Sequence, residues 1–252
     1  MQDVKGKYIW ILGASSGIGA ALAKELASSG AIIALSARRA DKLNELRATL
    51  AGEGHIVAPL DVADHAAIQN AQSEIMKSFP QIDSALFMAA MYSPHDGKTK
   101  KIERIHDMLH VNLGGAFNMV DVVKPQFESQ GHGQIVICAS VAGYRGLPTG
   151  QPYCAAKAAL LNLSESLKVE LEPKNIDVKV ICPGFVKTPL TDKNDFPMPM
   201  IIEAEDAAIA IKNGLCSRAF EIHFPKRFTY IMKFLHILPH WLYFVVARKM
   251  RG

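Results

Sequence analysis

The chain has 252 residues, a formal net charge of +4, 49% hydrophobic residues and 21% charged residues. That length suits one large domain with a sizeable core, and the composition excludes a disordered or collagen-like chain. The charge is unevenly placed: residues 219–252 hold six cations against Glu221, or +5, so the remaining 218 residues sum to −1, which argues against a nucleic-acid-binding surface spread over the fold.

In chain order, short apolar runs at 8–12, 31–36, 55–60, 84–88, 134–139, 177–182 and 221–224 read as strands. Several are unbroken apolar blocks, the pattern of strands covered on both faces of a parallel sheet. Amphipathic stretches at 17–28, 41–51, 64–78, 102–129, 153–171 and 203–214 predict helices between them. The alternation predicts an α/β fold with a doubly wound, parallel seven-stranded sheet and helices on both faces. Ligand chemistry is then expected at the carboxyl ends of the strands. No repeat, low-complexity segment or Gly/Ser-rich linker divides the chain.

The first strand runs into Leu12-Gly13-Ala14-Ser15-Ser16-Gly17-Ile18-Gly19. Gly13 permits a tight turn, Gly17 lets backbone approach a pyrophosphate, and Gly19 lets the following helix pack closely on the strand. The helix N-terminus offers N–H donors and a positive dipole to phosphates, so this is a Rossmann-type dinucleotide site. Its G-x3-G-x-G spacing resembles the fingerprint of the short-chain dehydrogenase/reductase family, and the resemblance extends over about residues 5–225. Residues 1–225 are accordingly expected to form one dinucleotide-binding and catalytic domain, with 226–252 as a helical extension.

At the end of the second strand an acid would bond a ribose 2′-OH and repel a 2′-phosphate. Here the chain reads Ser36-Ala37-Arg38-Arg39, with no acid before Asp41. Two cations at a helix start oppose the helix dipole, whereas Arg38 and Arg39 suit a 2′-phosphate, so NADP(H) is expected over NAD(H). The resemblance implies that Asp61 and Val62, after the third strand, contact the adenine. After the fourth strand the family usually has Asn-Asn-Ala-Gly; this chain has Phe87-Met88-Ala89-Ala90, with Ala89 still expected to pass the adenosine ribose.

Tyr153-Cys154-Ala155-Ala156-Lys157 is a Y-x3-K on a predicted helix, with both side chains on one face. Ser140 stands 13 residues earlier, at a strand end, and Asn112 lies inside the predicted 102–129 helix. Each alone has an ordinary structural explanation. Together Asn112, Ser140, Tyr153 and Lys157 are similar to the family's catalytic tetrad in order and spacing. Carbonyl reduction needs a hydride to carbon and a proton to oxygen; a phenol with a pKa of about 10 is a poor base, and the neighbouring Lys157 ammonium together with the oxidised nicotinamide is expected to lower that pKa. Tyr153 is then the proton donor in reduction and the base in oxidation, with Ser140 orienting the carbonyl. The resemblance implies that Lys157 also bonds the nicotinamide ribose and that Asn112 holds a water linking Lys157 to solvent.

Pro183-Gly184-Phe185-Val186-Lys187-Thr188-Pro189 follows the sixth strand and resembles the family's P-G motif. The resemblance implies that Pro183 and Gly184 shape the turn, that Val186 offers backbone to the carboxamide, and that Thr188 offers a hydroxyl to carboxamide or phosphate; an irregular Pro-rich loop fits the same residues. Residues 189–200 then carry Phe196, Met198 and Met200, either as an adaptable lid for an apolar ligand or as a lid packed on its own core.

Pro239 divides the tail into two helical candidates, and the second ends in Arg248-Lys249-Met250-Arg251. The tail is too short and interrupted to span a bilayer, which takes about 18 or more apolar residues. A membrane surface, a flap over the substrate and a contact between copies all suit its basic, aromatic composition. Cys138, Cys154, Cys182 and Cys216 form no CxxC pair, so no metal site is expected. With no signal-peptide pattern at the N-terminus, a cytoplasmic location is expected, including the cytoplasmic face of a membrane. The sequence thus predicts an NADPH-dependent oxidoreductase of an apolar, lipid-like ketone or aldehyde, or the reverse reaction. The alternatives are a 3-oxoacyl carrier-protein reductase and a non-catalytic NADP-binding scaffold. The family resemblance implies a homodimer or homotetramer through the 102–129 and 153–171 helices.

Overall fold

The computed structural model describes residues 1, 3–92 and 102–249. Seven strands form one parallel sheet: β1 (Tyr8–Leu12), β2 (Ile32–Ser36), β3 (Ile56–Val57), β4 (Ser84–Phe87), β5 (Gly133–Cys138), β6 (Ile176–Pro183) and β7 (Glu221–Phe224). Their order is β3-β2-β1-β4-β5-β6-β7. The chain leaves β1 in one direction and returns at β4 on its other side, so the carboxyl ends of β1 and β4 part around a crevice.

Alternation along the strands builds two cores. Ile9, Ile11, Ile33, Leu35 and Val136 face one side, beneath α1 (Gly17–Ser28), α2 (Ala40–Arg47) and, later in the chain, α7 (Ala204–Leu215). Trp10, Leu12, Phe87, Ile135 and Val178 face the other, beneath α3 (His65–Met76), α5 (Gly115–Gln130) and α6 (Tyr153–Leu171). Side chains of this size each contribute about 1.5–3 kcal/mol when fully buried. The one polar atom of buried Trp10 is satisfied, its Nε1 donating to Ser36 Oγ at 2.9 Å, which in turn donates to the Ala58 carbonyl at 2.6 Å.

The elements depart from expectation in two places. β3 holds only two residues, although Ala58 and Leu60 still donate to β2-side carbonyls at 2.9 and 3.1 Å. The 102–129 helix is broken into α4 (Ile102–Leu109), a π turn (His110–Gly114) and α5. Directly after the break, a Cβ on Gly115 would lie 2.9 Å from Val62 Cγ2 and 3.2 Å from Phe87, so the backbone there runs close to the sheet.

Gly19 has the same character on the other face. A Cβ at this position would stand 2.2 Å from the Gly13 carbonyl oxygen, so α1 touches the turn that precedes it. Gly19→Ala must push helix from strand. It is expected to cost about 1–3 kcal/mol, read as a lower urea midpoint at unchanged slope.

Pro239 separates α8 (Lys226–Ile237) from α9 (His240–Lys249). Both are tied to the body. Thr229, Met232 and Tyr243 are buried. Lys233 and the Tyr144 hydroxyl share the Glu221 carboxylate, and His236 meets the Tyr144 carbonyl. Arg145 donates to the Leu238 carbonyl at 2.8 Å and lies 4.5 Å over the Tyr243 ring, whose hydroxyl donates to the Gly146 carbonyl. No helix among the described residues is long and apolar enough to cross a membrane.

Candidate active site

The crevice at the strand ends opens into a cleft of about 930 Å³. Its floor is the turn after β1, where Gly13 has φ +100° and the amides of Gly13 and Ala14 donate to the Ser36 carbonyl at 2.7 and 3.1 Å. A Cβ on Gly13 would sit 2.4 Å from the Ala89 backbone nitrogen, so the turns after β1 and β4 are in direct contact. Ser16 precedes α1 without capping it, which leaves the first N–H groups of the helix facing the cleft without a side-chain partner. Gly17 has φ +56°, and its missing Cβ would be 3.1 Å from Thr188. Ser15, Ile18 and Gly19 complete this wall.

Arg38 and Arg39 line the cleft at the end of β2. Arg39 Nη2 donates to Ser15 Oγ at 3.1 Å, which fastens it over the glycine turn. Arg38 is 74% exposed and only 3.9 Å from Asp61, a loose pairing of little energetic weight. Asp61 and Val62 line the cleft, and so does Ala89, whose backbone abuts the strand-1 turn at Gly13.

At the other end β5 delivers Ser140 into an extended conformation, where its Oγ accepts from the Ala142 amide at 3.1 Å and donates to the Pro183 carbonyl at 3.4 Å. α6 begins at Tyr153 and carries Lys157 one turn on, 1% exposed. The Lys157 ammonium donates to the Cys138 carbonyl at 2.8 Å and stands 5.5 Å from the centre of the Tyr153 ring. Pro183, Gly184, Val186 and Thr188 close the cleft from the β6 side. That loop is knotted by Thr191, whose hydroxyl donates to the Val186 carbonyl at 2.7 Å.

Of the residues singled out for catalysis or cofactor binding, the cleft gathers all but Asn112, while Phe196, Met198 and Met200 of the expected lid do not line it. Asn112 is buried in the π turn, and its amide grips one residue: Oδ1 accepts from the Met91 N–H at 2.6 Å and Nδ2 donates to the Met91 carbonyl at 2.8 Å. It therefore steadies the loop after β4, where Met88-Ala89-Ala90 stands in place of the usual Asn-Ala-Gly. Tyr92, which carries no motif, lines the cleft with its ring edge-on to Tyr153 at 5.2 Å between centres. Thr191, Arg104 and Lys193 also line it without a sequence signal.

Burial pushes the Tyr153 phenol above its ordinary value, with the Cys138 thiol adding to the rise and the hydrogen bond with Ser140 opposing it. The Lys157 ammonium meanwhile turns to the Cys138 carbonyl. Burial in turn lowers the Lys157 pKa, while Cys138 and Cys182 act the other way. The phenol is held protonated, the form that donates. Among the described residues no group of three or more His, Cys, Asp or Glu side chains could hold a metal ion.

A doubly wound sheet with this cleft defines a Rossmann-type oxidoreductase. The sequence pattern of the short chain dehydrogenases matches residues 7–197, and the chain belongs to this family. An uncharacterized oxidoreductase of Myxococcus xanthus is 32% identical over 253 residues, covering 100% of both chains. A short chain dehydrogenase from Burkholderia cenocepacia, solved in complex with NADP, superposes with a TM-score of 0.82 at 23% identity, over 95% of this chain and 97% of that one. A 3-ketoacyl-(acyl-carrier-protein) reductase from Brucella melitensis, complexed with NADH, gives 0.80 at 23% identity, over 89% and 99%.

Proposed function

We propose that the protein is an NADPH-dependent reductase of an apolar ketone or aldehyde, also able to run in reverse as an alcohol dehydrogenase. The observation that carries this reading is the convergence of Ser140, Tyr153 and Lys157 at one end of a cleft whose other end holds Arg38 and Arg39. The residues fit a phosphorylated dinucleotide: the uncapped start of α1 and the Cβ-free Gly17 suit a pyrophosphate, and two guanidiniums suit a 2′-phosphate. When bound, the nicotinamide supplies the hydride.

The chain's own residues do the rest. Ser140 Oγ donates to the substrate carbonyl oxygen and stabilises its growing negative charge. Tyr153 gives that oxygen its proton, a transfer worth roughly 10²–10⁴-fold in rate. Lys157 has three donors, one of them engaged by Cys138, and offers the others to the cofactor ribose and the phenolate left behind. Val186 and Thr188 hold the carboxamide, Pro183 and Gly184 shape their loop, and Asp61, Val62 and Ala89 hold the adenosine. Asn112 acts on this site by fixing Met91, beside Tyr92 and Tyr153.

Met91, Tyr92 and Leu190 on the substrate side favour an apolar ligand. Arg104 and Lys193 at the same mouth favour a second reading, reduction of a 3-oxoacyl thioester on an acidic carrier protein. Exposed Phe117 on α5 and Val169 on α6 support a homodimer or homotetramer through those helices. Peripheral contact with a cytoplasmic membrane face belongs to the same reading, since apolar carbonyl compounds concentrate there.

NADPH oxidation followed against a panel of short and long ketones, aldehydes and 3-oxoacyl thioesters tests the proposal. Turnover rising with the apolar length of the free carbonyl compound is expected. Turnover of the thioester alone would shift the assignment to the second reading, and NADPH binding without turnover of any member would leave a scaffold.

A further inference from the structure

The cleft does not use the outer surface of α8 and α9. In α8, Tyr230, Ile231, Phe234 and Ile237 are all exposed, Ile237 at 73%. Their spacing of i, i+1, i+4 and i+7 sets them on one face of the helix, while Thr229 and Met232 point into the protein. In α9, Trp241, Phe244 and Val245 repeat the arrangement, Trp241 at 71% exposure, with Tyr243 on the buried side. Seven large apolar side chains on two consecutive helices form far more than the scattered exposure normal for a surface.

Charge decides what covers them. Residues 226–249 contain Lys226, Arg227, Lys233, Arg248 and Lys249 and no Asp or Glu. Lys233 is engaged by Glu221, while Lys226, Arg227, Arg248 and Lys249 are exposed. At 100° per residue, Arg227 falls on the apolar side of α8 and Arg248 on that of α9, so cations border the patch. A second copy of this face would bring like charges together without a carboxylate to answer them. An anionic lipid surface accepts both features, apolar side chains at the acyl boundary and cations at the headgroups, with Trp and Tyr suited to the interface between.

We infer that the α8–α9 face docks on an anionic lipid bilayer, lying in its interface. Its inner side is firmly attached: Glu221, Tyr144, Arg145 and Gly146 fix the two helices to the segment that follows Ser140. Phe228 packs against Phe185 at 5.3 Å between ring centres, and a Cβ on Gly184 would stand 2.7 Å from Phe228. The docked helices therefore border both segments that frame the catalytic end of the cleft. This deepens the functional proposal by naming the surface from which an apolar substrate is drawn, but the docking itself needs no turnover to be observed.

The test is co-sedimentation of the full chain with phosphatidylcholine vesicles with and without phosphatidylglycerol, beside the variants Phe234→Ser/Ile237→Ser/Trp241→Ser and Arg227→Glu/Arg248→Glu. All five side chains are exposed, so the fold is retained, and circular dichroism with NADPH fluorescence checks this on each variant. The full chain is expected to partition at least about tenfold more to the anionic vesicles at low salt, with the preference collapsing at high salt. Both variants are expected to lose about tenfold or more of the binding. Equal pelleting with both vesicle types, or variants that pellet like the parent, overturns the inference. So does a triple variant that becomes monomeric in light scattering while the parent is not, which assigns the face to a second copy. A changed KM with unchanged vesicle binding would make it a substrate flap. Loss of NADPH binding in the parent would overturn the cofactor reading and leave the vesicle result standing.

Discussion

Tyr153→Phe is expected to lower kcat for carbonyl reduction by about 10³-fold or more, while the Kd for NADPH stays within about twofold. The substitution removes one oxygen and keeps the ring, so the edge-on packing with Tyr92 survives and the nucleotide end of the cleft is untouched. What is lost is the proton donor and its hydrogen bond with Ser140. The pH profile of the parent carries a second reading of the same group. Burial raises the Tyr153 pKa, and reduction uses the protonated form. The rate of reduction is therefore expected to hold level through neutrality and fall only above pH of about 10, the ordinary phenol value. Oxidation, which needs the phenolate, should climb over the same alkaline range. Stopped-flow NADPH fluorescence across pH measures both. Retained turnover in the Phe variant would remove Tyr153 from the chemistry. A reduction rate already falling below about pH 9 would mean that Lys157 acidifies the phenol once the cleft is filled.

Arg38→Ala/Arg39→Ala is expected to weaken NADPH binding by about 10²-fold and to leave NADH nearly unchanged. Hydrogen bonds to charged groups contribute about 1.5–3 kcal/mol each, and about 1.4 kcal/mol is a factor of ten. The two arginines are not equivalent. Arg39 is already held by Ser15 Oγ and lies where the glycine turn presents its amides, whereas Arg38 is exposed and loosely opposed by Asp61. Arg38→Asp should go further and favour NADH, because a carboxylate repels a 2′-phosphate and accepts from a 2′-hydroxyl. Titration of both nucleotides by protein fluorescence quenching reads the preference directly. Unchanged NADPH affinity in the double variant would mean that neither guanidinium meets the 2′-phosphate.

The parts of the fold that could be read from the chain are those set by neighbours in sequence. The unbroken apolar run Ile9-Trp10-Ile11-Leu12 marks a strand buried on both faces, and its side chains enter the two cores in turn. The glycine turn was legible because Gly13 and Gly17 adopt positive φ and Gly19 tolerates no Cβ. Pro239 divides the tail for the same kind of reason, since it cannot continue a helix. The break at His110–Gly114 was not legible. Helical periodicity runs through it, and the break coincides with the approach of Gly115 to Val62 and Phe87, both distant in sequence.

The catalytic end divides along the same line. Tyr153 and Lys157 share a helix, so their spacing alone puts them on one face, and Ser140 is placed by the end of β5. The protonation of that group is a different matter. It follows from desolvation and from the nearby Cys138 thiol, neither of which has any trace in a Y-x3-K pattern. Tyr92 and Thr191 reach the cleft from loops without a motif. Asn112 was identifiable by position, yet its grip on Met91 depends on two segments 21 residues apart meeting through the π turn.

The sequence by itself determined most of the elements, their parallel arrangement, the motif residues that gather in the cleft and the cationic, apolar nature of the tail, because period, turn chemistry and charge are properties of adjacent residues. Tertiary structure alone decided that burial raises the pKa of the phenol, that Asn112 clamps a loop instead of lining the cleft, and that α8 and α9 turn seven apolar side chains outward while fastening their inner side to Tyr144, Arg145 and Glu221. Each of these depends on which groups lose water and which find a partner far along the chain, and both are settled only when the sheet has closed and its helices have packed.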